Sequence, residues 1–333
     1  PSENNLVVVH KGSQRSCAVD SGNGLCSPLF IGYKPPRITT LSVYDFPTTG
    51  GEVNITGTNF GQRGDVLFNG IPLPQNSIVW GLHTSVRVTI PPGEGRGHAF
   101  MVKVDRQTDS TCMSKCRFHY RPPSVASLTP NHGETQGGYL VSIRGTNFGI
   151  DDLKNPYSGR YTYVGPSVTI GGRVCSVTVF NHMSVSCRMP ANFGVNKRVI
   201  VTVQNQTSNF NVKFDYDKPA VLSIHPSSGV TSGLTSRHGT RYNVTVAGKN
   251  FGDMEAMRLF KVLFNKPSGG PENVVTFGVG QHGGEILSLT HESVKISMPA
   301  GQGENLQVNV DLDDRFADVN PSVIFTYDSP HLE

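Results

Sequence analysis

The chain has 333 residues, a length that at roughly 100 to 150 residues per domain calls for several domains rather than one core. Glycine (37) and proline (22) are abundant, charged residues make up 16 % and the net charge is +4; this is a turn-rich folded chain and not the charge-rich, apolar-poor composition of disorder. No stretch approaches the roughly 18 consecutive apolar residues of a membrane-spanning helix, and no run of like charges offers a phosphate-tracking stripe, so a membrane-embedded segment and a nucleic-acid binder are both excluded as expectations.

The first residues carry neither a Met nor an apolar leader, so any secretory signal is expected upstream. Residues 1–35 hold short apolar runs, Leu6 to Val9 and Leu29 to Ile31, that parallel Leu306 to Val310 and Val323 to Tyr327 near the other end. They read as the closing hairpin of an incomplete domain. An apolar-x-Tyr step ahead of a proline ends this hairpin at Tyr33 and recurs at Tyr120, Tyr216 and Tyr327. A second marker, G-x-N-F-G, occupies Gly57 to Gly61, Gly145 to Gly149 and Gly248 to Gly252. The two alternate in fixed order and divide the chain into units of 36–122, 123–218 and 219–330.

Within units the strand signal is strict alternation. Val53 and Ile55 alternate with Asn54 and Thr56, Val86, Val88 and Ile90 with Arg87 and Thr89, and Val199, Val201 and Val203 with Arg198, Ile200 and Thr202. The only helical candidate is a single turn within Asp253 to Phe260. In G-x-N-F-G, the glycines and asparagine tolerate the positive φ of a tight turn, and the phenylalanine can plug one end of a core. No glycine-rich phosphate loop of the G-x-x-x-x-G-K-S/T type follows.

The order P-x-x-G-x-T-x-G-G, V-x-I-x-G-x-N-F-G, C-x-V, S-C-x-x-P and F-x-Y-x-x-P resembles the IPT/TIG domain, closely so in the second unit with Pro130, Thr135, Gly145 to Gly149, Cys175, Cys187, Pro190, Phe214 and Tyr216. The resemblance implies an all-β fold, a tandem row of immunoglobulin-like (E-set) sandwiches. The first unit lacks the paired cysteines. The third has Gly233-Leu234 in place of Gly-Gly and an insertion around Thr235 to Thr240, which predicts displaced early strands.

Six cysteines fall into local pairs, Cys17 with Cys26, Cys112 with Cys116, and Cys175 with Cys187. An even, locally paired count favours disulfides and an oxidising compartment over a metal site built on Cys112, Cys116 and His119. Sequons at Asn54, Asn205 and Asn243 sit on outward-facing strand positions or in a polar turn, so N-linked glycans are expected there. No catalytic signature is present, His282 to Glu285 reads as a loop, and the acidic run Asp311, Asp313, Asp314 and Asp318 reads as a solvated loop rather than a calcium site. No cofactor and no enzymatic activity are expected.

Prolines at the unit junctions leave little flexible linker, so the units should stack end to end. The resemblance implies an extracellular or cell-surface adhesion or receptor segment, with protein partners and with any membrane anchor in segments outside this one. The alternative is a repeating subunit of an extracellular filament, in which residues 1–35 pair with a neighbouring chain.

Overall fold

The computed structural model describes residues 33–109, 116–149, 165–234, 241–266, 273–278 and 284–329, together with the strand pairing of short stretches between residues 5 and 31. Among the described residues the regular structure is β-strand with two single turns of 3-10 helix, Gln75–Ser77 and Ala256–Arg258, and no helix is long and apolar enough to cross a membrane. The turn at Ala256–Arg258 is the helical element expected between Asp253 and Phe260.

Alternation decides the layers. In the strand Gly51–Thr58, Val53 and Ile55 are buried while Glu52, Asn54 and Thr56 are exposed. That strand lies between Arg37–Leu41 and Ser85–Ile90, with Ile78–Gly81 at the edge, and faces a second sheet ordered Ile71–Pro72, Asp65–Phe68, Arg96–Val104, Arg117–Tyr120, Asp45–Phe46. The two inward faces enclose a core running from Ile38 to Tyr120. Side chains from both sheets fill it, as sandwich packing requires.

The second sandwich repeats the plan, but its strands form one continuous order. The nine-residue strand Arg173–Asn181 pairs with Ser184–Arg188 in one layer and with Ser167–Ile170 in the other, around a core from Val125 to Tyr216. Cys175 and Cys187, each almost wholly buried, are joined by a disulfide across the paired strands Arg173–Asn181 and Ser184–Arg188. The third sandwich packs the sheet Ala220–His225, Asn243–Lys249, Ser293–Ser297, Glu285–Leu289 against one built on Phe260–Asn265, Leu306–Leu312 and Ile324–Tyr327. Its core runs from Val221 to Tyr327. The insertion has not displaced its early strands. Asn243–Lys249 pairs with Ala220–His225 and Ser293–Ser297 as its counterparts do in the other two sandwiches, and residues 235–240 themselves lie outside the described residues.

The two sequence markers prove to be parts of one packing scheme. Phe60, Phe148 and Phe251 are fully buried. The asparagine and second glycine of each G-x-N-F-G are left-handed, with φ between 60° and 62° at Asn59, Asn147 and Asn250. The first glycine is not, and here positive φ gives way to crowding as the reason. A Cβ at Gly57, Gly145 or Gly248 would meet a backbone oxygen of the neighbouring strand at 2.1, 1.9 and 2.1 Å and the buried phenylalanine ring of its own turn. Only glycine lets strand and ring approach so closely. The closing Tyr120, Tyr216 and Tyr327 donate their hydroxyls to the carbonyls of Pro91, Pro190 and Pro299, which explains why F-x-Y travels with the proline at the end of an earlier strand. Burial raises the pKa of all three hydroxyls, that of Tyr327 to about 12, so they stay protonated donors at any physiological pH.

Between residues 5 and 31, Asn5–Val7 pairs antiparallel with Leu29–Ile31, Asn5 opposite Ile31. The third sandwich holds the same kind of antiparallel pair, with Leu306 opposite Phe325.

Candidate functional site

The side chains that do most outside the cores meet where one sandwich ends and the next begins. The joint between the first and second is assembled from five segments. Asn147, held left-handed by its turn, donates from Nδ2 to the carbonyl of Pro122 in the linker at 3.2 Å. Its Oδ1 accepts the backbone N–H of Thr48 from the preceding sandwich at 3.3 Å. The hydroxyl of Thr48 is hydrogen-bonded to Nδ1 of His182, which lies in the turn beside Asn147, where the carbonyl of His182 accepts the N–H of Phe148. Finally Gln206, on a two-residue strand of the second sandwich, donates from Nε2 to the carbonyl of the closing Tyr120 at 3.0 Å.

The joint between the second and third sandwiches uses equivalent residues in equivalent roles. Asn250 donates to the carbonyl of Lys218 at 3.2 Å and accepts the N–H of Thr135 at 3.1 Å. The Thr135 hydroxyl is 2.9 Å from Nδ1 of His291, whose carbonyl again accepts the N–H of the buried phenylalanine, Phe251. Arg315 takes the place of Gln206 and donates to the carbonyl of Tyr216. Half of the scheme appears a third time at the start of the first sandwich, where Asn59 donates to the Pro35 carbonyl at 3.1 Å and Gln107 to the Tyr33 carbonyl at 2.8 Å.

Burial gives these bonds weight. Thr48 and Thr135 are 1 % and 0 % exposed and Asn147 is 7 % exposed, so each amide and hydroxyl has been taken out of water and depends on its partner across the joint. Burial lowers the pKa of His182; at His291 burial acts with the Arg173 charge against Asp253 and Glu292, again to a net lowering. Both rings are therefore neutral near pH 7, and each Nδ1 shares a hydrogen bond with its threonine hydroxyl. At the second joint an ion-pair cluster is added. Arg173 donates to Asp253 at 2.8 Å, to Glu255 and to the carbonyl of Ala191. Burial works against the charged Asp253 carboxyl, but the Arg173 guanidinium and nearby amides outweigh it and hold its pKa below the usual carboxylate value. Phe193 of the second sandwich packs against the core of the third, and Lys218 in the linker pairs with Asp318 at 2.5 Å.

The other residues singled out in the sequence are placed as follows. Asn54, Asn205 and Asn243 are exposed, Asn205 in a left-handed turn with φ 63°. Cys116 is buried and disulfide-bonded; Cys26 lies on the short strand Cys26–Ser27, opposite Val19, while Cys17 and Cys112 lie outside the described residues, as do His282 and Gly283. The acidic run is not a solvated loop throughout. Asp311 is buried and pairs with Lys261 at 2.9 Å, while Asp318 has turned to the linker, so the four carboxylates do not converge. Among the described residues no group of three His, Cys, Asp or Glu is placed to hold a metal ion.

Sequence reading missed Thr48, Thr135, His182 and His291 as a set, because the partners are 134 and 156 residues apart. A signal was available: His83, His182 and His291 are each followed two positions later by serine, a third marker in step with the other two.

Successive sandwiches that share a turn, a tyrosine anchor and a joint define a class of tandem immunoglobulin-like repeat. The IPT/TIG domain family matches residues 36–120 and 123–216, and the chain belongs to that family. It is similar to fibrocystin-L of Homo sapiens, 25 % identical over 241 residues that cover 66 % of this chain and 5 % of the relative. It is likewise similar to plexin-2 of Caenorhabditis briggsae, 25 % identical over 243 residues that cover 70 % of this chain and 12 % of the relative. The chain thus spans a small part of the length of either. Among solved structures, the full extracellular region of plexin A4 aligns over 95 % of this chain and 25 % of its own, at 17 % identity and a TM-score of 0.28.

Proposed function

We propose that this chain is a non-enzymatic spacer segment of an extracellular adhesion or receptor protein, a stiff row of IPT/TIG sandwiches that holds partner-binding surfaces at a set distance. The domains are 36–122, 123–218 and 219–330, and residues 1–35 are the closing hairpin of a further IPT/TIG domain. The observation that carries the reading is the joint: the same asparagine, threonine, histidine and tyrosine-carbonyl contacts recur at both boundaries, so the angle between neighbours is set by buried hydrogen bonds and not by linker flexibility. The relatives fibrocystin-L and plexin-2 and the buried Cys175–Cys187 disulfide support an extracellular setting. Disulfides Cys17–Cys26 and Cys112–Cys116, added to Cys175–Cys187, and glycans on Asn54, Asn205 and Asn243 would accompany that setting. Its partners are other proteins, reached through the exposed faces.

Small-angle X-ray scattering tests the row directly. The chain should scatter as one elongated shape with a narrow spread of lengths. Replacing both Thr48 and Thr135 by Arg should broaden that distribution while leaving the β-sheet signal intact. A chain equally broad with and without the substitutions would refute the spacer reading.

A second reading, a filament subunit joined by strand addition, is favoured by one observation. Asn5–Val7 and Leu29–Ile31 form a two-stranded sheet with no third strand among the described residues. Concentration-dependent end-to-end association that is lost on deleting residues 1–32 would select it.

A further inference from the structure

Thr231 holds in the third sandwich the position of Thr48 in the first and Thr135 in the second. The backbone around it is closed in the same way. Gly233 donates to Val230 as Gly50 does to Pro47 and Gly137 to Glu134, and the Thr231 carbonyl accepts the N–H of Gly301 at 2.9 Å, as the carbonyls of Thr48 and Thr135 accept those of Gly93 and Asn192. One thing differs. Thr48 and Thr135 are buried by the next sandwich, whereas Thr231 is exposed, flanked by Val230 and Leu234 at 37 % and 40 % exposure.

We propose that the pole carrying Thr231 is an unfilled half of the same joint, built to receive the pole of another IPT/TIG repeat that presents a left-handed asparagine and a turn histidine. The inference rests on the stiff-row reading above. Three features select this occupant over an unrelated protein. The Thr231 loop already has the geometry that twice meets such a pole. Apolar flanks suit a contact of this kind, as the half-buried Phe193 packs against the core of the next sandwich at the second joint. The segment following the closing tyrosine repeats the linker spacing: a proline stands three residues after Tyr33, Tyr120 and Tyr216, at Pro36, Pro123 and Pro219, and again after Tyr327, at Pro330. A repeat attached there is tethered as the others are, so the contact needs no affinity beyond what a short linker's effective concentration supplies.

The opposite pole of the chain shows what such an occupant looks like when undocked. Asn59 and His83 hold the places of Asn147 and His182, with the His83 carbonyl accepting the N–H of Phe60, and both are exposed. The test uses that pole. The full chain is extended in frame after Pro330 with a second copy of residues 37–330, so that the copy's Asn59 and His83 follow the Tyr327–Pro330 linker. Amide hydrogen exchange is then read at Thr48, Thr135 and Thr231 in the native and the extended chain. The expected result is that exchange at Thr231 slows about tenfold or more in the extended chain, to the range of Thr48 and Thr135, and that Thr231→Arg or a His83→Ala change confined to the second copy restores fast exchange or a broadened scattering profile. Protection at Thr48 and Thr135 in the same samples shows that the sandwiches remain folded and docked. Equal exchange at Thr231 in both chains, with Thr48 and Thr135 still protected, overturns this proposal alone. Fast exchange at all three overturns the stiff-row reading, and the proposal with it.

Discussion

Replacing Asn147 by Ala isolates one bond of the first joint. The substitution removes the acceptor of the Thr48 amide, which is 1 % exposed, and the donor to the Pro122 carbonyl, and it puts alanine at a φ of 62°. Leaving a buried N–H unsatisfied costs about 1–3 kcal/mol. Partial entry of water brings the expected loss to about 1–2 kcal/mol, a factor of about 5–30 in the opening equilibrium. Native-state hydrogen exchange at the Thr48 amide measures that factor directly. Asn59→Ala is the internal control, because Asn59 has the same φ of 62° and the same kind of linker bond, to Pro35, but no threonine amide is described on its Oδ1. The Thr48 amide should exchange about 5–30 times faster in Asn147→Ala and at an unchanged rate in Asn59→Ala, with Thr135 unaffected in both. An unchanged Thr48 rate in Asn147→Ala, or equal acceleration at Thr135, would refute the reasoning: the first would mean the bond does not guard the joint, the second that the whole chain had been loosened.

Acidification should loosen both joints. The pKa values of His182 and His291 are lowered by burial, so docking favours the neutral rings; that contribution is complete above the free-histidine value of roughly 6.5 and is lost as pH falls below it. Scattering profiles should broaden between pH 7.5 and 5, and narrowing over that range would contradict the assignment. Gly145→Ala should destabilise the second sandwich by ~3 kcal/mol or more, since its Cβ would lie 1.9 Å from the Ser124 oxygen and 2.6 Å from the Phe148 ring with no flexible neighbour to yield; calorimetry should show that sandwich's transition lowered or lost. Replacing Cys175 and Cys187 together by Ala opens a link of sequence separation 12 and should cost about 3 kcal/mol in urea titrations, and a loss below ~1 kcal/mol would show that strand pairing already fixes that loop. Arg173→Ala removes contacts to Asp253, Glu255 and the Ala191 carbonyl at a half-exposed site; it should weaken the second joint by about 1 kcal/mol at low salt and less at high salt, read as faster exchange at Thr135.

The sandwiches were legible because their determinants are local. Val53, Ile55, Val86 and Val88 alternate with polar residues, and every one of them is buried. The turn glycines punctuate these runs at regular intervals. The role of Gly57, Gly145 and Gly248 was half legible: the residue type was right, but the cause is a neighbouring strand, packed so close in the folded chain that any Cβ there would lie about 2 Å from its backbone oxygen. The joints were visible only on one side: the histidines recur two positions ahead of a serine at His83, His182 and His291, but nothing local links a histidine to the threonine of the preceding repeat. Their pairing is fixed by the rigid placement of two whole sandwiches. Asp311 escaped for a similar reason, since it stands opposite Lys261 on the adjacent strand, a partner 50 residues away that the acidic run does not reveal.

The tyrosine that locks each fold also offers its carbonyl to the following repeat, through Gln206 at Tyr120 and Arg315 at Tyr216. Melting any one member would therefore strip a cap from the neighbour before it and withdraw a seat from the neighbour after it. Under tension such a row would not pay out like independent beads on a string: rupture at one link should make its adjacent links the next to yield, and the force needed should depend on how many intact members remain on either side.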